Sequence, residues 1–145
     1  MADSTTDTLT LVAGTNVTIT TDAGTDSITI NSTAGGGLTW NEVTGTSQSA
    51  AVNNGYITNN VALVTVTIPT TASVGDVVRV AGSGAGGWKV AQNASEIIHF
   101  GNQDTTTGTG GSLASTNRYD AVELVCIVAD TEWVVASSIG NLTVV

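Results

Sequence analysis

Residues 8–31, TLTLVAGTNVTITTDAGTDSITIN, place apolar side chains two apart in three short runs: Leu9 and Leu11, Val17 and Ile19, Ile28 and Ile30. Spacing of two marks a strand with one face to bury. Ala13-Gly14-Thr15-Asn16 and Asp22-Ala23-Gly24-Thr25-Asp26 separate the runs, and Gly, Asn and Asp accept turn dihedrals. The segment predicts three strands and two turns. Its six apolar side chains have no opposing layer in the segment, and so narrow a ribbon is at best marginally stable alone. Sister copies wound about a common axis would supply both the missing interior and partners for the backbone edges.

The same stretch carries a degenerate repeat. Val17-Thr-Ile-Thr-Thr-Asp-Ala-Gly24 recurs as Ile28-Thr-Ile-Asn-Ser-Thr-Ala-Gly35, and Leu9–Gly14 is a shortened earlier copy. Short strands repeated with turn glycines, each unable to bury its own face, point to a fibrous element. Ala34-Gly35-Gly36-Gly37 breaks the pattern, and all three tryptophans follow it. Residues 1–37 are therefore expected to form a β-repeat shaft, with 1–7 frayed, and residues 38–145 a globular β head the size of a β-sandwich or jelly roll.

Composition agrees with an all-β chain. Of 145 residues, 41% are hydrophobic and 10% charged, with 17 Gly; the many Thr, Ser and Val disfavour helix. Twelve acidic residues against three basic ones give a net charge of −9, and Arg79, Lys89 and Arg118 are scattered. Phosphate neutralisation needs clustered Lys and Arg, so nucleic acid and anionic membrane are not expected partners. No basic and apolar leader opens the sequence, and no apolar run reaches the roughly 20 residues of a membrane helix. Assembly inside a cell before release, or derivation from a longer chain, is the expectation. Cys126, the sole cysteine, lies in the apolar run Val122–Val128 and reads as a small buried hydrophobe.

Within the head, Val61–Ile68 is the clearest strand, with Ala62, Val64, Val66 and Ile68 on one face and Pro69 ending it. Asn54-Gly55 reads as a tight turn. Residues 101–117, GNQDTTTGTGGSLASTN, read as a long loop of the kind that binds something or packs on a neighbour. Ala121–Val128 is apolar on both faces, which predicts cover on both sides, the second layer coming from a neighbouring subunit. The apolar ending Leu142–Val145 is expected to be tucked in.

Chemical motifs are sparse. His99 is the sole histidine and reads as a hydrogen-bonded structural residue, with no second histidine to build a metal site. Asp22, Asp26 and Asp104 fit turns, and DAGTD lacks the carboxylate density of a calcium loop. Gly82–Gly87, GSGAGG, lacks the Lys-Ser/Thr and helix of a phosphate loop and reads as a β-turn. Nothing local marks two of Glu96, Glu123 and Glu132 as a glycosidase pair. Trp88 and Trp133 read as core; Trp40, Tyr56 and Tyr119, near loops or strand ends, are candidates for stacking on a sugar or, for Trp40 and Tyr56, for bracing head to shaft. No enzymatic activity, cofactor or metal is expected.

Residues 7–45, DTLTLVAGTNVTITTDAGTDSITINSTAGGGLTWNEVTG, resemble the shaft-to-head junction of phage tail fibres and other virion fibre proteins. Residues 86–116, GGWKVAQNASEIIHFGNQDTTTGTGGSLAST, with the ending SSIGNLTVV, resemble the tip domain shared by phage fibres and trimeric adhesive fibres of some bacteria. The resemblance implies a homotrimer whose intertwined shaft carries a head that meets a glycan or other receptor on a host or prey cell, in a virion fibre or at a cell surface. The acidic balance departs from tips that bind sulfated glycans. Candidate contact residues are Asn54 and Tyr56 in NNGY and Asn102, Gln103 and Tyr119 flanking the long loop. A module that registers and locks three chains without binding a ligand is the alternative.

Overall fold

A computed structural model describes residues 10–14, 17–32 and 37–145. The described residues contain strands and turns and no α-helix, so the protein is all-β. Its chain divides into two compact units, Met1–Gly36 and Gly37–Val145.

In the first unit, β1 (Val17–Asp22) and β2 (Ser27–Ser32) pair antiparallel, with Ile19 opposite Ile30 and Thr21 opposite Ile28. Alternation then sorts the side chains completely. Val17, Ile19, Thr21, Ile28, Ile30 and Ser32 share one face, and Thr18, Thr20, Asp22, Ser27, Thr29 and Asn31 the other. Asp26 takes the left-handed conformation (φ 51°) in the turn, and the Asp22 carboxylate accepts the Gly24 N–H at 2.8 Å. That bond, with help from the Thr25 hydroxyl, holds the Asp22 pKa below its ordinary value. The expected first strand is not formed by Thr10–Gly14, which has no ladder partner among the described residues and leaves Val12 82% exposed; Leu9 lies outside the described residues.

The second unit holds twelve strands in two sheets. From Thr39 to Ala91 the chain coils between them: β3 (Thr39–Val43), β5 (Asn54–Thr58) and β7 (Val77–Gly82) enter one sheet, while β4 (Ser47–Ser49), β6 (Val64–Thr67) and β8 (Trp88–Ala91) enter the other. Neighbours within each run are parallel. Parallel pairs need a crossover, usually a helix; here each crossover is a strand of the opposite sheet. Jelly rolls, by contrast, are antiparallel.

The remaining strands widen both sheets by mostly antiparallel pairing. They are β9 (Ile97–Phe100), β10 (Gln103–Asp104), β11 (Ser112–Ser115), β12 (Ala121–Val128), β13 (Glu132–Ile139) and β14 (Leu142–Val144). The larger sheet runs β10-β9-β13-β12-β7-β5-β3 and the smaller β14-β11-β8-β6-β4. One apolar core draws on both, with Val78, Leu124, Trp133 and Ile98 from the first meeting Val64, Val66, Trp88, Val90 and Leu113 from the second.

Three expectations are corrected. Asn54-Gly55 is the start of β5, and the left-handed residue is Asn53 (φ 59°), because β5 runs parallel to β3 and no hairpin closes there. Residues 101–117 contain β10 and β11 and bury Thr105, Ser112 and Leu113, since the Thr105 and Gly108 N–H groups bond to Ile98 and Glu96 carbonyls. Val128 leaves the inner face after a register shift between Cys126 and Val128 and is 43% exposed. On the outer face of β12, Ile127 is 41% exposed, so the unit does not itself supply the second layer.

The GSGAGG segment has a packing reason for its glycines. A Cβ on Gly84 would stand 2.2 Å from the Asn60 backbone, and one on Gly86 would stand 2.0 Å from the Ala62 carbonyl oxygen. Backbone bonds seal the crossing, Gly84 N–H to Thr58 at 2.8 Å and Gly86 N–H to Asn60 at 2.9 Å. G84A and G86A should each destabilise the protein by about 1–3 kcal/mol, as overpacking does. G110A, where a Cβ meets nothing within 4 Å, should stay within about 0.5 kcal/mol of the parent. Urea titrations check this, and equal losses at all three positions would contradict the packing account.

Candidate functional site

Within one chain the five residues singled out from the sequence lie in different surroundings. Tyr56 is 3% exposed and belongs to the core; its hydroxyl accepts the Ala51 N–H at 2.7 Å, which corrects the expectation of a solvent-facing ring. Asn54 holds local backbone, accepting from Asn41 Nδ2 at 3.0 Å and donating to the Val52 carbonyl at 2.9 Å. Asn102 and Gln103 are exposed at the β9–β10 turn, and β9, β13, β12 and β7 separate β10 from β5. Tyr119 is 68% exposed, but the Arg118 guanidinium stands over its ring, 5.0 Å from the centroid.

A different group comes together on the outer face of the larger sheet. The registers of β3, β5, β7, β12 and β13 align Trp40, Gly55, Arg79, Glu123 and Ser137 in one row. Gly55 carries no side chain because the Trp40 indole occupies that space. A Cβ there would lie 2.6, 2.7 and 2.8 Å from Trp40 Cε3, Cδ2 and Cζ3, and three nearly equal distances mean that the ring lies flat across the glycine. Trp40 is nonetheless 47% exposed. Beside it, Arg79 Nε pairs with Glu123 Oε2, the two side chains 45% and 21% exposed. Trp40, Arg79, Glu123, Ser137 and Ile139 line an open cleft of about 330 Å³. Its place near a strand end makes Trp40 a stacking candidate in the sequence, but its seat on Gly55 depends on a strand register that local pattern does not reveal.

His99 sits on β9 between two acidic neighbours. Asp104, directly opposite on β10, meets Nδ1 at 2.7 Å, and Glu132 on β13 meets Nε2 at 3.4 Å. The carboxylates approach from opposite sides of the ring and do not converge. Among the described residues no group of His, Cys, Asp and Glu could hold a metal ion. Bonding to Asp104 foremost, and to Glu132, raises the His99 pKa above 6.5, with partial burial opposing.

Glu96 is 1% exposed; its Oε2 accepts from the Asn93 backbone and side chain at 2.6 and 2.8 Å, while Oε1 has no partner. Burial pushes its pKa up against those bonds. Gln92, also buried, donates to the Glu96 carbonyl at 2.6 Å, so the pair staples the β8–β9 turn. Glu96, Glu123 and Glu132 thus have separate partners, Asn93, Arg79 and His99. No protein-family model matches the chain, and no curated protein matches it.

Protonated His99 bonds both carboxylates, so this clamp stabilises the fold at pH below the unfolded value near 6.5 and is lost as pH rises through the higher folded value. Its contribution should be at most about 1 kcal/mol, the scale of surface ion pairs. As the only histidine, it gives one imidazole signal, and an NMR titration should place its midpoint above 6.5. H99Q should cost more stability at pH 5 than at pH 8.5; a midpoint at or below 6.5 would contradict the clamp.

Proposed function

We propose that this chain is the tip of a homotrimeric fibre that attaches a virion or a cell to a glycan or other receptor on a target surface. The observation that carries this reading is the amphipathic hairpin β1–β2. Its apolar face leaves Ile28 55% and Ile30 63% exposed, and its other face is wholly polar. Three copies whose apolar faces meet on an axis form an intertwined shaft, and the two-sheet unit, which has a core of its own, forms the sandwich-like head. The resemblance of residues 7–45 and 86–116 to fibre junctions and tips supports the same arrangement.

Attachment then works by multiplicity. Three identical sites on one rigid tip convert weak single contacts into avidity that exceeds each by about 10²–10⁴. A net charge of −9 argues for neutral surfaces over polyanionic ones. The structural alternative, a module that only registers and locks three chains, shares the hairpin observation, since burying Ile28 and Ile30 requires sister chains and no receptor.

Introducing charge into the apolar face with I28D/I30D should convert trimer to monomer and lower apparent affinity for receptor-bearing cells by about 10²–10⁴. Flow cytometry with labelled parent and variant checks this. Equal binding by the monomeric variant would contradict the avidity mechanism, and a parent trimer that binds neither the cells nor a glycan array would favour the locking module.

A further inference from the structure

Resting on the attachment reading above, we propose that the Trp40 cleft is the saccharide site, and that it takes a neutral hexopyranose stacked on the indole. Sugar recognition joins a flat aromatic surface, which meets the apolar C–H face of the ring, to planar polar groups that bond the hydroxyls at its edge. Trp40 supplies the first. Its ring lies across Gly55, where a side chain would clash at 2.6 Å, so the backbone holds one face of the indole and leaves the side chain 47% exposed. The platform is set before any sugar arrives, which removes part of the ordering cost of binding.

Arg79 and Glu123 supply the second requirement. They follow Gly55 in the same row of the sheet, paired to each other and partly exposed. Together they offer guanidinium donors and a carboxylate acceptor beside the platform, the complement of two adjacent sugar hydroxyls. Because Glu123 neutralises Arg79, no free cation waits for a sulfate or carboxylate, and the chain's charge of −9 repels such groups. The ligand class is therefore neutral. A cleft of about 330 Å³ stands at the small end of the range for small-molecule sites, about 300–1,000 Å³.

The other large aromatics are occupied. Trp88 and Trp133 are fully buried and Tyr56 is 3% exposed, while Arg118 already covers the ring of Tyr119. Trp40 alone among the tryptophans and tyrosines combines exposure with a ring face that no side-chain cation covers.

That distribution also supplies the assay. With Trp88 and Trp133 at 0% exposure, acrylamide quenching of the intact protein reports Trp40. The methyl glycosides of glucose, galactose and mannose, and N-acetylglucosamine, are added at up to about 100 mM, with sialic acid as the anionic comparison. At least one neutral sugar should lower the quenching constant twofold or more, and sialic acid should not. W40A should lose the quenchable emission while keeping that of the buried tryptophans, which shows that it is folded. G55A, which displaces the ring, and E123Q, which breaks the edge, should each weaken sugar protection at least fivefold. The proposal is overturned if Trp40 is quenchable and no neutral sugar protects it. Resistance to quenching without sugar also overturns it, since another copy would then cover the cleft. Either result, in a protein that still attaches to its target cells as a trimer, would leave the fibre-tip reading standing.

Discussion

A hairpin with Val17, Ile19, Ile28 and Ile30 on one face and only Thr, Ser, Asn and Asp on the other has a single sheet layer and nothing in that layer to keep its apolar side dry. Two strands alone are marginal in water. The constraint follows from pairing register. A shift of one residue would mix apolar and polar side chains on both faces, and the observed Ile19–Ile30 register instead gathers the apolar ones. Everything proposed about assembly depends on that unsatisfied face.

The second unit meets its requirements differently. Its core of valine, leucine, isoleucine and two tryptophans is enclosed between its own two sheets. Backbone bonds and glycines set the close crossings, as where Trp88 Nε1 donates to the Asp120 carbonyl at 2.8 Å and Gly82 passes beneath Arg118. Asp120, itself buried, accepts the Thr116 and Asn117 N–H groups at 2.8 Å and closes the β11–β12 turn. Each sheet turns its other face away from this core. The outer face of the larger sheet carries Trp40, Arg79 and Glu123 in one row, and the His99 clamp lies on the same face.

Alternation made the strands legible: Val64, Val66 and Ile68 bury as their spacing predicts, as do Trp88 and Trp133, but β6 begins at Val64, and Ala62, expected on the same face, is exposed in the segment before it. Which strands would be neighbours was not legible, because a period of two is common to parallel and antiparallel ladders. That gap explains the misplaced residues. Asn54-Gly55 carries the composition of a hairpin turn, yet in a parallel pair the glycine serves as a seat for Trp40 and sends Tyr56 to the opposite, buried face. Likewise the Thr- and Gly-rich stretch 101–117 reads as loop, while its hydrogen bonds to β9 and to Val145 make it part of the sheets. Asp104 lies near His99 in sequence, but Glu132 reaches it only through the β9–β13 pairing.

The most direct measurement is the mass of the purified full chain in solution by multi-angle light scattering. The account predicts three times the 14.5 kDa of one chain from low micromolar concentration upward. A mass of one chain, with the amides of residues 17–32 protected from hydrogen exchange as an ordered hairpin, would contradict it.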